Sequence, residues 1–135
     1  MDLAALLPPG TTGRAELTVG DEHTAPRVGS GLIPVLATPV MINLIEAAAL
    51  EAVDRVLPAG YQSLGTLLNV RHVAATPVGM KIRAEATVRR VEGRTAFLEV
   101  SAHDERERIG EGTHERVVVN VAKFDQRVAR KREGG

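Results

Sequence analysis

The chain has no cysteine, very few aromatic residues and no excess of either charge. The absence of cysteine excludes a disulfide framework, a thiolate nucleophile and a cysteine-based zinc site. Aromatic residues make up only 2% of the sequence, so the core must be aliphatic, and stacking platforms for single-stranded nucleic acid are excluded. Basic and acidic residues number 17 each, so no net charge attracts nucleic acid or an acidic membrane.

The remaining composition is that of an ordinary globular protein, with 44% hydrophobic and 25% charged residues. A length of 135 residues predicts a single domain, 1–135, with one core. Residues 1–13 are expected to form a loose lead, and the charged residues 125–135 a frayed tail. The N-terminus lacks the basic region and the long apolar stretch of a signal peptide or membrane span, which predicts a cytoplasmic protein.

The most apolar stretch, residues 39–56, has the periodicity of a helix. Thr38 is predicted to be its N-cap, with Pro39 at the first helical position. Glu46 lies at the edge of the apolar side, and a partly desolvated carboxylate there has an environment in which folds prepare acid–base groups. It is either a boundary glutamate whose carboxylate reaches water or an acid–base group. The predicted apolar side comprises Met41, Ile42, Ile45, Ala48, Ala49, Ala52 and Val53.

The rest of the chain alternates in the manner of strands. A short strand is predicted at 15–19 and a loop at 21–35, followed after the helix by strands at 67–76, 80–88, 96–102 and 109–124. Glu92-Gly93 is typical of a hairpin turn. One helix and about five antiparallel strands predict an α+β fold in which the sheet wraps around the helix. Free strand edges and spare helix surface favour a dimer.

His72 and Thr38 are candidate site residues. His72 occupies an inward position of its predicted strand, where it is either a core histidine with a backbone partner or a proton carrier near Glu46. Thr38 is either only a cap or a hydroxyl beside the free N–H groups of the helix N-terminus. Because Thr38 and Glu46 are eight residues apart, about 12 Å of helix separates them. A third group or another subunit must therefore bridge them.

Two further candidates are Gly65 and Arg116. Gly65 is either a loop glycine or a residue whose backbone N–H closely approaches a substrate carbonyl. Arg116 shares one face of the last strand with His114, after Gly110 and Gly112. The histidine spacing matches no metal-ligand motif, and no phosphate-binding glycine motif occurs, so no metal site is predicted.

Seven segments together resemble hotdog-fold thioesterases of the fluoroacetyl-CoA thioesterase type, from about residue 30 to about residue 128. They are ATP at 37–39, MINLIEAAA at 41–49, SLGT at 63–66, VRHVAATPVG at 70–79, VEGR at 91–94, SAHD at 101–104 and IGEGTHERVVV at 109–119. The resemblance implies a hotdog fold with one long central helix, and a homodimer or higher oligomer with two active sites at the subunit interface. It also implies that the catalytic residues match Thr38, Glu46 and His72, and that the substrate-binding residues match Gly65 and Arg116.

The activity implied is hydrolysis of an acyl-CoA thioester without a metal or organic cofactor. The fluoroacetyl-specific member has phenylalanines that form a lid, whereas this chain has Gly29, Leu32 and Leu36 in that region. We therefore expect a short or medium acyl group other than fluoroacetyl. Arg83, Arg94 and Arg116 are candidates to contact the nucleotide end of coenzyme A.

Two alternatives stay open from the sequence. One is a non-catalytic hotdog module that binds acyl-CoA, and it predicts binding without turnover. The other is a hotdog enoyl-CoA hydratase, although the close acid–histidine pair of such enzymes is absent around residues 34–46.

Overall fold

A computed structural model of the protein describes residues 1–134 and contains one five-stranded antiparallel sheet packed against one long helix. The helices are α1 (Leu3–Leu6), α2 (Ala25–Val28), α3 (Thr38–Asp54) and α4 (Val121–Arg132), and a 3₁₀ turn covers Asp21–His23. The strands are β1 (Thr12–Thr18), β2 (Tyr61–His72), β3 (Lys81–Glu92), β4 (Thr95–His103) and β5 (Arg108–Asn120). Their order in the sheet is β1-β3-β4-β5-β2, so β1 and β2 are the two edges. This arrangement confirms the α+β prediction.

The helix α3 packs its apolar side on the sheet and lies mainly against β1 and β3. Its buried residues are Met41, Leu44, Ile45, Ala48, Ala49, Ala52 and Val53. Six of these seven were predicted from the wheel, and Leu44 takes the place of Ile42, which is only half-buried. Among residues 1–134, no helix is both long enough and apolar enough to cross a membrane.

The alternation of β3 and β4 is confirmed. Ile82, Ala84, Ala86 and Val88 are buried on β3, as are Ala96, Leu98, Val100 and Ala102 on β4. The two strands form the predicted hairpin, in which Gly93 has a φ of 61°. Such a left-handed turn conformation favours glycine because no Cβ obstructs it.

Several predicted boundaries were wrong. The strand β2 begins at Tyr61 and ends at His72, and β5 ends at Asn120, where the helix α4 replaces the predicted end of the strand. The side chain of Asn120 caps α4 by accepting a hydrogen bond from the Lys123 N–H at 3.1 Å. The tail that was expected to fray is therefore helical as far as Arg132.

The N-terminal lead also differs from the expectation of a loose segment. Its short helix α1 is capped by Asp2, and Leu3 and Leu7 are buried in the hydrophobic core. Burial of two leucines provides several kcal/mol to order this segment, roughly 1.5–3 kcal/mol for each side chain.

Gly13 determines how closely β1 approaches the helix. A Cβ at this position would lie 2.2 Å from the Ala48 carbonyl oxygen and 2.4 Å from the Ala52 nitrogen. Both are backbone atoms of α3, so a side chain here must push the helix away from the sheet. Small residues on both elements therefore fix the position of α3.

We expect Gly13→Ala to lower the free energy of unfolding by roughly 1–3 kcal/mol, because an overpacked core strains the backbone. Urea denaturation would measure the change. Gly31→Ala is the matched control, since a Cβ at Gly31 would meet only Ala25 Cβ, at 3.4 Å. Equal stability of the two variants would contradict the close helix–sheet contact.

Candidate functional site

The first candidate pair is Thr38 and His72, which form a hydrogen bond. The hydroxyl Oγ1 of Thr38 lies 2.7 Å from Nδ1 of His72. Thr38 is the first residue of α3, and Ala37 occupies the N-cap position, so the prediction that Thr38 is the cap was wrong. His72 is the last residue of β2, which places the pair where the helix begins and the strand ends.

The other ring nitrogen of His72 has no partner within residues 1–134. Its Nε2 is buried and makes no hydrogen bond, and no other buried side-chain polar atom in that part of the chain lacks a partner. Burial lowers the pKa of His72 below the ordinary value of 6.5, and the backbone of Ala74 opposes this in part. The imidazole is therefore neutral at pH 7, and one of its nitrogens is free to exchange a proton with a ligand.

A cavity of about 410 Å³ adjoins this pair. Its size falls in the range of small-ligand sites, and most of its lining is aliphatic. Leu32 and Ile33 lie on its exposed loop, and the side chain of Leu32 is 92% exposed. The other apolar lining residues are Ala25, Val35, Leu36, Val73, Ala74 and Ala75. The cavity therefore offers an apolar wall beside a polar pair.

The second candidate group is Glu46, Gly65 and Arg116. The carboxylate Oε2 of Glu46 lies 3.6 Å from Nη1 of Arg116, and the Glu46 side chain is 37% exposed. A Cβ at Gly65 would lie 2.5 Å from the same Oε2, so only glycine leaves room for the carboxylate in this position. A β-bulge between Gly65 and Leu67 interrupts the pairing of β2 with β5 at this point.

Arg116 is buried, although a charged side chain is usually exposed. Its Nε donates to Ser63 Oγ at 2.8 Å, and its Nη2 donates to the Ser63 carbonyl oxygen at 3.2 Å. Its Nη1 lies 3.2 Å from Nε2 of His114. Burial lowers the pKa of the Arg116 guanidinium below its ordinary value, and the charges of Asp54 and Glu46 oppose that effect. Arg116 is therefore held within the protein, whereas Arg83 and Arg94 are exposed.

The structure thus brings the five candidates together as a pair and a group of three. Within residues 1–134, no hydrogen bond or ion pair joins Glu46 to Thr38 or His72. The same part of the chain has no group of three or more His, Asp or Glu side chains that could hold a metal ion. One chain therefore presents an imidazole–hydroxyl pair at a cavity and, separately, a carboxylate oriented by an arginine.

Sequence reasoning missed Ser63 and Asp54 and undervalued His114. The alternation of His114 and Arg116 along β5 was a usable signal, because it places both side chains on the buried face. No comparable signal marks Ser63, whose role depends on the pairing of β2 with β5.

Comparisons with known proteins agree with this arrangement of helix and sheet. Residues 19–122 match the model of the fluoroacetyl-CoA-specific thioesterase family. The fluoroacetyl-CoA thioesterase of Streptantibioticus cattleyicolor is 45% identical over 101 residues, which cover 75% of this chain and 73% of that protein.

Two solved structures are similar along most of their length. A variant of the fluoroacetyl-CoA-specific thioesterase in complex with fluoroacetate and CoA has a TM-score of 0.82 and 36% identity, covering 87% of this chain and 99% of that one. A hot-dog-like protein from Thermanaerovibrio acidaminovorans has a TM-score of 0.89 and 30% identity, covering 97% of both chains. The chain therefore has the hotdog fold and belongs to the fluoroacetyl-CoA-specific thioesterase family.

Proposed function

We propose that the protein is an acyl-CoA thioesterase that hydrolyses a short or medium acyl-CoA to the free acid and CoA. The observation that carries the proposal is the Thr38–His72 hydrogen bond beside the aliphatic cavity, in a member of a thioesterase family. Metal and organic cofactors have no part in the proposed reaction. A cytoplasmic location and a single-domain organisation remain predictions of the sequence.

The proposed acyl group is not restricted to fluoroacetyl. The loop that borders the cavity carries Leu32 and Ile33, and no aromatic residue occurs between residues 1 and 60. Aliphatic side chains provide apolar contact area to an acyl chain without the fixed planar surface of a phenylalanine. This lining supports a short or medium aliphatic acyl group.

A dimer would complete the site. The edge strand β2 exposes Leu64, Leu67 and Leu68, whereas the other edge, β1, exposes Arg14, Glu16 and Thr18. An exposed row of leucines at a free strand edge favours pairing with a second copy. We propose that two chains associate on this side, so that Glu46 of one protomer meets Thr38 and His72 of the other. The separation of Thr38 from Glu46 along α3 supports this arrangement.

In the proposed reaction, Glu46 takes a proton from water while the water oxygen attacks the thioester carbonyl. Gly65 lets the backbone approach the carbonyl oxygen closely, because no Cβ intervenes. Glu46 gives this proton to the free nitrogen of the neutral His72 imidazole. The tetrahedral adduct then loses its C–S bond, and His72 passes the proton to the departing sulfur, which leaves both side chains as they began. Alternatively, Glu46 attacks the carbonyl itself and water hydrolyses the anhydride. Transfer of oxygen-18 from water into Glu46 would identify the second route.

We expect Glu46→Gln to lower kcat by roughly 10²–10⁴-fold, because the amide cannot accept the proton. Release of free thiol from a panel of short and medium acyl-CoA esters would measure it. Glu51→Gln is the matched control, since Glu51 is also on α3 but exposed and paired with Arg55. If no ester is hydrolysed by the wild-type protein although acyl-CoA binds, the chain is a binding module and the proposal is wrong.

We expect mixed dimers of Glu46→Gln and His72→Gln chains to regain about half of the wild-type kcat, since one of their two sites receives both native residues. Two affinity tags would isolate the mixed dimers, and each variant alone would serve as the inactive reference. A site contained within one chain would leave the mixed dimers as inactive as the parents.

We expect kcat/KM to fall only when the pH drops below 6.5. The lowered pKa keeps His72 neutral to a lower pH than an ordinary histidine, and protonation then removes the nitrogen that accepts the proton. A pH–rate profile, with circular dichroism to establish that the protein stays folded, would measure the midpoint. An acid limb centred above 6.5 would contradict this role of His72.

A further inference from the structure

A chain of polar contacts extends from the end of α3 to Arg116. Asp54, the last residue of α3, accepts a hydrogen bond from the Ser63 backbone N–H at 3.0 Å and a second one from the Ser63 hydroxyl. The same hydroxyl oxygen accepts the hydrogen bond from Arg116 Nε. Asp54 thus fixes the rotamer of Ser63, and Ser63 fixes two nitrogens of the guanidinium.

His114 holds the third nitrogen and is present as one tautomer. Its Nδ1 lies 2.7 Å from the carbonyl oxygen of Leu67, which can only accept, so Nδ1 carries the hydrogen. The lone pair is then on Nε2, where it accepts a hydrogen bond from Arg116 Nη1. The imidazole is fully buried. A protonated ring would turn a hydrogen toward the guanidinium and break this contact.

The surroundings of His114 favour the neutral ring. Burial lowers the pKa of His114, and the charge of Arg116 acts in the same direction. The Leu67 carbonyl oxygen and the carboxylates of Glu46 on α3 and Glu115 on β5 oppose this effect. The neighbouring strand β4 places Leu98 opposite His114 and contributes no charge there.

We propose that Asp54, Ser63 and His114 are positioning residues, which fix the guanidinium of Arg116 so that it holds the Glu46 carboxylate against Gly65. The guanidinium is planar, so contacts at Nε, Nη2 and Nη1 leave it no rotation with which to follow a displaced carboxylate. This inference rests on the proposed function, because the position of Glu46 matters only if Glu46 reacts.

Two variants of His114 separate positioning from simple burial of a polar ring. In His114→Gln the side-chain oxygen can occupy the place of Nε2 and accept from Arg116, but the donor to Leu67 is lost. In His114→Asn the amide can replace Nδ1 and donate to Leu67, but the acceptor for Arg116 is lost. We expect His114→Asn to lose roughly 10–10²-fold in kcat with little change in KM, and His114→Gln to lose only a few-fold.

The opposite order, with His114→Asn the more active variant, would overturn the proposal and assign His114 to the Leu67 carbonyl alone. Equal losses of kcat in the two variants, in proportion to their loss of melting temperature, would also overturn the proposal. Ser63→Ala provides a second test, because it leaves Arg116 Nε without its acceptor, and we expect its kcat to fall while KM is retained. Ser101→Ala, on the outward face of β4, is the matched control.

Nitrogen-15 NMR of the wild-type protein tests the arrangement of His114 and Arg116 without an activity assay. We expect the His114 ring to show protonated Nδ1 and unprotonated Nε2 at neutral pH, and the Arg116 Nε–H signal to lose its protection from exchange in Ser63→Ala. The other tautomer, or an Arg116 signal unchanged by Ser63→Ala, would overturn the inference even in an active enzyme. Conversely, an inactive wild-type protein with the expected spectra would refute the proposed function and leave the polar chain in place.

Discussion

The burial of Arg116 is the constraint on which the site depends. A guanidinium removed from water is destabilising by several kcal/mol unless its N–H groups find acceptors and its charge finds a partner. In this fold the acceptors come from β2 and β5 and the carboxylate comes from α3, so one side chain ties three elements together. The position of Glu46 therefore depends on the packing of the sheet as much as on the helix that carries it.

A second constraint is that the helix must lie close to the sheet for these contacts to form. Small residues make this possible, since Gly13 meets the helix backbone at Ala48 and Ala52 with no side chain between them. A bulkier residue would move α3 outward and lengthen the 3.6 Å separation of Glu46 from Arg116. The nearly complete lack of aromatic residues in the sequence is thus consistent with a thin helix–sheet interface built from alanine and short aliphatic side chains.

Sequence reasoning succeeded where one periodicity decided the structure. The alternation of β3 and β4 and the apolar side of α3 reflect burial on one face, and local patterns report that directly. It failed at β2, because exposed leucines such as Leu64 and Leu67 obscure the alternation of an edge strand. It also failed at α4, because the apolar pattern of the strand continues past Asn120 and hides the helix start that this N-cap residue marks. Contacts such as Asp54 with Ser63 join residues on different elements, so no local pattern contains them.

The candidate site residues lie in two separate places, and helix geometry explains why. Thr38 and Glu46 are on the same helix, and eight residues of rise hold them about 12 Å apart however the rest of the chain folds. Within one chain the Glu46 carboxylate can therefore lie beside Arg116 or beside His72, but not both. In the structure it lies beside Arg116. The partial exposure of Glu46 and the exposed leucines at the edge of β2 then have one explanation, which is a second copy of the chain bound there. A second copy bound at that edge would remove the leucines from water and, in the proposed dimer, bring the oriented carboxylate to an imidazole that lacks a partner at Nε2. Association and completion of the site would then be the same event, which is why a monomeric form should be inactive.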